Sequence, residues 1–177
     1  ESIELIKKFS TTNSDMIIDI GCGKGFLADN LLKLNYENIT LVDISKNALK
    51  EVKERVNNKS LNFIETDVLN LKSEQTFDIW HDRAVFHFIT EKEGIEKYIS
   101  LCNEYINKEG KLIIGTFAED GPLKCSGLEI KRYSINNLKE LFKENFEFIE
   151  GFKKLHSTPF DTQQSFTFCV FKKLTNR

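Results

Sequence analysis

Residues Met16 to Ile20 form a short apolar strand pattern that runs directly into Gly21-Cys22-Gly23-Lys24-Gly25, and a strand that ends in a glycine turn leaves a chain few ways to fold. Glycine on such a turn permits positive φ and lets a ligand approach the backbone with no Cβ in the way. In an open α/β sheet the turn after the first strand lies at the crevice where ligands settle. The rest of the chain keeps the same alternation. Nearly continuous apolar runs recur at Ile39–Val42, Leu61–Ile64, Phe77–Trp80 and Leu112–Phe117, as in strands buried on both faces. Between them lie helical patterns. One covers Phe26–Asn35. A second covers Lys46–Val56, with Leu49, Val52 and Val56 on one face and Ser45 as N-cap. A third covers Lys92–Ile106, where Thr90 to Glu93 has the spacing of a capping box and Ile95, Ile99, Cys102 and Ile106 share a face.

Strand-helix alternation implies right-handed crossovers and a parallel sheet covered on both sides. The order changes after Phe117. A loop containing Gly121-Pro122 and Ser126-Gly127 leads to a helix near Ser134–Glu144, and then to two strand-like stretches, FEFIEGFKKL and QSFTFCVFKK. Their connection of about nine residues, with Pro159 in it, favours antiparallel neighbours over another crossover. The expected fold is therefore α/β: a Rossmann-like, doubly wound, mostly parallel seven-stranded sheet with an antiparallel C-terminal strand and helices on both faces, in one domain over residues 1–177.

Composition narrows the partners. With 40% hydrophobic residues in 177, the chain can bury a core that needs no staples. The net charge is −2 and the basic residues are scattered, so no nucleic-acid partner is expected. No apolar stretch approaches the roughly 20 residues of a membrane span, and no signal peptide is written at the N-terminus. Cys22, Cys102, Cys125 and Cys169 stand far apart with no C-x-x-C pair, which speaks for reduced thiols, no local metal site and a cytoplasmic protein. Oligomeric state is not written in the sequence.

The glycine loop excludes two nucleotide folds. A dinucleotide fingerprint G-x-G-x-x-G needs its third glycine at position 26, where Phe26 stands, and a P-loop needs G-x-x-x-x-G-K-[ST], which the turn lacks. In D-I-G-C-G-K-G, residues Asp19, Gly21, Gly23 and Gly25 match the D/E-x-G-x-G-x-G motif, and here the sequence resembles the class I S-adenosylmethionine-dependent methyltransferases. The resemblance implies S-adenosylmethionine as cofactor and S-adenosylhomocysteine as product. It implies that Asp43, in LVDIS, accepts hydrogen bonds from the ribose hydroxyls, with Ile44 beside it, and that Asp67, in IETDV, contacts the adenine amino group next to Val68. Asp19, Gly21, Cys22, Gly23, Gly25, Asp43, Ile44, Asp67, Val68 and His81 are the expected cofactor-binding residues. In this family an N-terminal segment often closes over the cofactor, and a chain beginning at Glu1 is expected to lack part of that lid.

Acceptor chemistry is expected from IWHDRAVFHFIT. His81 and Asp82 would leave the fourth strand at its end, with His87 about one helical turn later; the three are the candidate catalytic residues, since imidazole moves protons near neutrality. They also admit a structural reading, in which His81 and Asp82 cap the next helix and touch the cofactor's methionine end while His87 packs inside. Arg83, Phe86, Cys125 and His156 are the expected substrate-pocket residues, with Gln163 facing the same cavity and Phe86, Phe88, Phe117 and Phe160 as apolar walls. Cys125 and His156 converging on His81 could hold a soft metal or a thiol, or could simply be a buried hydrophobe and a loop histidine; no metal is expected. The segments GPLKCSGL and HSTPFDTQQSF, with WHDRAVFHF, resemble a bacterial subgroup of the family of largely unassigned substrate. The acceptor expected is a small molecule. A protein lysine or chain terminus is the alternative, since the N/D-P-P-Y/F motif of base and amide methylation is absent, and a non-catalytic cofactor-binding domain is a further one. A nicotinamide oxidoreductase stands last.

Overall fold

The computed structural model describes residues 1–56, 60–157 and 163–175. Seven strands form one sheet: β1 (Met16–Ile20), β2 (Asn38–Asp43), β3 (Leu61–Glu65), β4 (Phe77–Arg83), β5 (Ile106–Phe117), β8 (Phe146–Ser157) and β9 (Gln163–Lys173), in the order β3-β2-β1-β4-β5-β9-β8. The first five pair in parallel, and β9 runs antiparallel between β5 and β8. This is the Rossmann-like, doubly wound sheet expected. A small hairpin, β6 (Lys124–Cys125) with β7 (Leu128–Glu129), stands within the segment read as a loop.

Alternation along each strand sorts the core into two layers. Ile18, Ile20 and Trp80 face one side, where α4 (Lys92–Tyr105) contributes Ile95, Tyr98 and Cys102 and α5 (Ile135–Phe142) contributes Leu138 and Phe142. Ile17, Ile39 and Ile79 face the other, under α1 (Ser2–Phe9), α2 (Leu27–Lys33) and α3 (Lys46–Val56) through Leu5, Ile6, Ala28, Leu31, Leu49 and Val52. Both faces of the central strands are covered, which is why those strands are apolar at nearly every position.

Three local expectations change. The capping box at Thr90 to Glu93 does not form, because Glu91 is the N-cap of α4 and makes no side-chain cap; the box is instead at Ser134 and Asn137, ahead of α5. Strand β4 continues to Arg83, so His81 and Asp82 are paired inside the sheet, opposite Asp19 and Ile20, rather than beyond its end. Helix α1 was not read from the sequence, although its Leu5, Ile6 and Phe9 lie on one face, with Glu4 near its start and Lys7 and Lys8 in its last turn. No helix among the described residues is long and apolar enough to cross a membrane.

Candidate active site

The glycine loop leaves β1 and is fixed from both sides. Gly21 and Cys22 donate their backbone N–H groups to Val42 O, at 2.7 and 3.2 Å. Gly21 has φ +66°, and a Cβ there would stand 2.0 Å from Val85 Cγ2, so both backbone and space require glycine. Gly23 has φ +54° but has nothing within 4 Å of an added Cβ, so its turn faces open space. Asp43, at the end of β2, accepts from Gly23 N at 2.8 Å and from Ser45 N at 2.7 Å, tying the loop to the next strand. Arg55, in the last turn of α3, clamps the other side. It donates to Lys24 O (3.2 Å), Gly25 O (2.6 Å) and both carboxylate oxygens of Asp29, and its guanidinium lies 4.4 Å from the Phe26 ring centre. Nothing in the sequence pattern marks Arg55 as part of this loop; its register against Gly25 is set only when α3 packs on the sheet.

Two cavities meet at Gly21. The larger, of about 840 Å³, runs from Asp43 and Ile44 past Asp67, Val68 and Leu69 to Val85, Phe88 and Ile89, with Ser126 and Leu128 of the hairpin at its edge. Its walls are mostly apolar, and its polar groups are few and grouped, as in small-molecule sites. Asp67 caps the 3-10 turn Val68–Asn70 through Leu69 N at 2.8 Å, which fixes the turn that forms one wall. The smaller cavity, of about 300 Å³, lies on the α1 side of the loop, where Asp19, His81, Arg83 and Asn30 line it with the first residues of α1.

Asp19 and His81 are neighbours across β1 and β4 and point to that α1 side. Asp19 Oδ1 lies 2.7 Å from His81 Nδ1, with both residues buried, and His81 Nε2 has no partner. The tautomer that gives Nδ1–H to the carboxylate leaves Nε2 as a buried acceptor without a partner, in a residue that lines the cavity. Two residues on, Arg83 is exposed and its guanidinium stands 5.4 Å from the ring centre of Phe166.

Asp82 points the other way, into the core. It accepts from Val85 N (2.9 Å), Phe86 N (3.3 Å) and the Tyr98 hydroxyl (2.6 Å), and Tyr98 in turn accepts from Trp80 Nε1 at 3.1 Å. Burial pushes its carboxyl up to about 6 against the pull of those donors. It thereby holds the turn in which Ala84 takes φ +74° and Val85 walls the large cavity. As candidate catalytic groups, Asp82 and His87 are therefore corrected in position. His87 is fully buried, stacks on Phe117 at 4.7 Å and 8°, lines neither cavity, and burial lowers its imidazole to about 4.

The expected pocket residues divide. Phe86 is a core residue packed on Tyr98, Tyr133 and Phe142, because the Asp82-held turn swings it inward, while Phe88 does line the large cavity. Phe117 is buried beneath His87. Cys125 and His156 line neither cavity; Cys125 is on the hairpin, and His156 meets the edge of Phe166 near the end of β8. Gln163 is exposed at the start of β9, and Phe160 lies outside the described residues. Among the described residues no three His, Cys, Asp or Glu side chains are grouped to hold a metal. Cys22 lines the small cavity, and burial, with Asp19 and Asp43 nearby, pushes its thiol up to about 12, far from a thiolate nucleophile.

Comparison with known proteins places this geometry. A family profile described as a methyltransferase domain matches residues 11–170. Malonyl-[acyl-carrier protein] O-methyltransferase 2 of Ilyobacter polytropus is 29% identical over 141 residues, covering 78% of this chain and 52% of that protein. The chain spans about half the length of the curated relatives it matches. Among solved structures, a SAM-dependent methyltransferase from Methanosarcina mazei superposes with a TM-score of 0.79 at 15% identity, covering 97% of this chain and 98% of the other. The N-methyltransferase NodS from Bradyrhizobium japonicum WM9, in complex with S-adenosyl-L-homocysteine, does so with 0.75 at 13% identity, covering 98% and 86%. At those identities the two structures share the fold.

Proposed function

We propose that this chain, which belongs to the methyltransferase-domain family matched over residues 11–170, moves a methyl group from S-adenosylmethionine to a small-molecule nucleophile. The observation that carries the reading is the open turn at Gly23, with positive φ and empty space where a Cβ would stand, directly above the Asp43 carboxylate and at the head of an 840 Å³ apolar cleft. The residues fit an adenosyl cofactor. Both Asp43 oxygens are already oriented by backbone donors and each keeps a further lone pair for a ribose hydroxyl. Ile44, Val68 and Leu69 supply apolar surface for the adenine, and Asp67 stands beside them for its amino group. Gly21 and Gly25 let the rest of the ligand pass close to the backbone, towards Asp19.

S-adenosylmethionine supplies, when bound, a methyl group already activated on a sulfonium. The chain's own work is then to align the nucleophile, exclude water and accept a proton where the acceptor carries one. His81 is placed for the last task. Asp19 holds the ring through Nδ1, and the partnerless Nε2 of this cavity-lining residue is the atom that would accept the proton. Asp82 acts at one remove, as a positioning residue for the Ala84–Val85 wall. The four cysteines are all free thiols, which supports a reducing, cytoplasmic setting.

The test is transfer of labelled methyl from S-adenosylmethionine into a cell extract separated by size. Label in the small-molecule fraction is expected. Label confined to macromolecules would move the acceptor to a protein, and no transfer together with no cofactor binding would overturn the reading.

A further inference from the structure

His87 carries a cost that the fold does not explain. Its side chain is fully buried, and neither Nδ1 nor Nε2 has a hydrogen-bond partner among the described residues. A neutral imidazole keeps one N–H and one lone pair, so the ring leaves a donor and an acceptor unmet at once, each at the full cost of its desolvation. The buried hydroxyls without partners, on Thr116, Tyr133 and Thr167, turn about their C–O bonds; this ring is clamped. It lies flat against Phe117, 4.7 Å away and 8° from parallel, and Phe88 leans on it at 4.6 Å and 57°. Phe88 is half-buried and lines the 840 Å³ cavity together with Ser126 and Leu128 of the hairpin. His87 thus lies one ring behind the wall of that cavity.

The hairpin beside it is weakly anchored. Strands β6 and β7 pair only with each other, two residues each, around Ser126 and Gly127 at φ +50° and +81°. An isolated two-stranded hairpin is marginal in water. Among the described residues it is held by Cys125 and Ile130, which pack on the core layer that contains Phe117, and by the backbone bond from Lys131 N to His87 O at 2.8 Å. The hairpin is fastened to the residue whose side chain lacks partners.

We propose that His87 is an acceptor-specificity residue: as Phe88 and the hairpin give way, its imidazole receives a neutral, planar hydrogen-bonding group of the methyl acceptor, such as an amide or azole. This rests on the methyl-transfer reading above and adds the substrate class. Side-chain rotation of the kind asked of Phe88 is common when a ligand binds. Burial keeps the imidazole neutral near pH 7, so it offers no charge to an anion. The large cavity is lined by no Lys, Arg or His among the described residues, whereas Asp43, Asp67 and Glu91 do line it, a sign of charge that repels carboxylates and phosphates. An acceptor without the polar group would leave both nitrogens unpaired, and a buried polar site rejects such analogues strongly. His81 keeps the proton transfer.

The experiment is calorimetric titration of the full chain and of His87→Phe, first with S-adenosylhomocysteine and then, on that complex, with benzamide, benzoate and fluorobenzene. Wild type should bind S-adenosylhomocysteine and then benzamide, at least about tenfold tighter than either other probe. His87→Phe, which keeps a ring and removes both nitrogens, should hold S-adenosylhomocysteine as wild type does but lose about tenfold or more in benzamide affinity, down to that of fluorobenzene. Imidazole NMR gives a second reading that does not depend on that variant. Benzamide should shift the ring signals of His87 in the wild-type complex, and in Phe88→Ala the His87 N–H should exchange with water about tenfold faster or more, because the ring that shields it is gone. Benzamide that binds wild type no better than fluorobenzene, or binds His87→Phe as tightly as wild type, would overturn the proposal alone. So would unchanged N–H exchange in Phe88→Ala, or loss of S-adenosylhomocysteine affinity in His87→Phe. Failure of wild type to bind S-adenosylhomocysteine would strike the underlying reading instead.

Discussion

Gly21→Ala should cost stability for two separable reasons, and Val85 tells them apart. The φ of +66° is in the left-handed region, where a residue with a Cβ costs about 1–2 kcal/mol. The added Cβ would also stand 2.0 Å from Val85 Cγ2 and 3.5 Å from Val85 Cβ. The first distance is an overlap that must be relieved by moving Val85 or the loop, at about 1–3 kcal/mol, and the second is ordinary contact. The substitution should therefore destabilise by about 2–5 kcal/mol, a large share of the 5–15 kcal/mol typical of a domain. Val85→Ala removes Cγ2 and costs about 1–2 kcal/mol by itself, since Val85 is half buried. The double variant should recover the overlap but keep the backbone cost, so the two changes should fall short of additivity by about 1–3 kcal/mol. Urea unfolding of the four proteins, with m-values checked for constancy, gives the cycle directly. Additivity within about 0.5 kcal/mol would show that Val85 does not press on the glycine loop, and the account of how the cavity wall and the loop fit together would fail.

Asp82 and His87 should impose opposite pH dependences on stability. The Asp82 carboxyl, raised from 3.8 to about 6, stabilises fully at low pH and loses that contribution as pH rises through about 6; His87, lowered from 6.5 to about 4, stabilises above pH 6.5 and loses it as pH falls through about 4. Each is worth on the order of 3 kcal/mol. Their slopes oppose one another between about pH 4 and 6, so unfolding across that window should show stability falling towards acid more steeply in Asp82→Asn than in wild type, and the reverse trend in His87→Phe; parallel profiles would contradict both assignments. His81→Ala should lower kcat by about 10²–10⁴-fold if Nε2 takes the acceptor's proton, with S-adenosylhomocysteine affinity little changed. Equal loss in kcat and affinity would instead make His81 a cofactor-holding residue. Arg55→Ala should weaken S-adenosylhomocysteine by roughly tenfold without touching it, because the clamp on Lys24 and Gly25 is lost; unchanged affinity would mean that the loop holds its shape unaided.

What could be read from the sequence was what repeats locally. Continuous apolar runs announce strands buried on both faces, and Lys46–Val56 shows its helix by the spacing of Leu49 and Val52, so the sheet and its crossovers followed. The glycines and Asp43 were legible because their chemistry stands at the ends of those strands. The rest depends on register. Asp19 meets His81 because β1 and β4 pair in one alignment, which neither strand's pattern fixes. Phe86 was expected in the pocket and His87 was a catalytic candidate with interior packing as the other reading, and it is Asp82, bonding the backbone of Val85 and Phe86, that turns the segment into the core. Arg83 of β4 finds Phe166 of β9 across the intervening β5, and Arg55 finds Gly25 across a helix-loop contact. Such pairs exist only after folding.

The central claim is that the Gly23–Asp43 cleft holds the adenosyl cofactor. Calorimetric titration of wild type, Gly23→Val and Asp43→Ala with S-adenosylhomocysteine tests it most directly. Wild type should bind at one site. Gly23→Val should fill the space above the turn and abolish binding, while Asp43→Ala should lose about 1–3 kcal/mol of affinity with its hydroxyl acceptor. Wild-type protein that binds neither S-adenosylhomocysteine nor S-adenosylmethionine, or variants that bind as tightly as wild type, would contradict it.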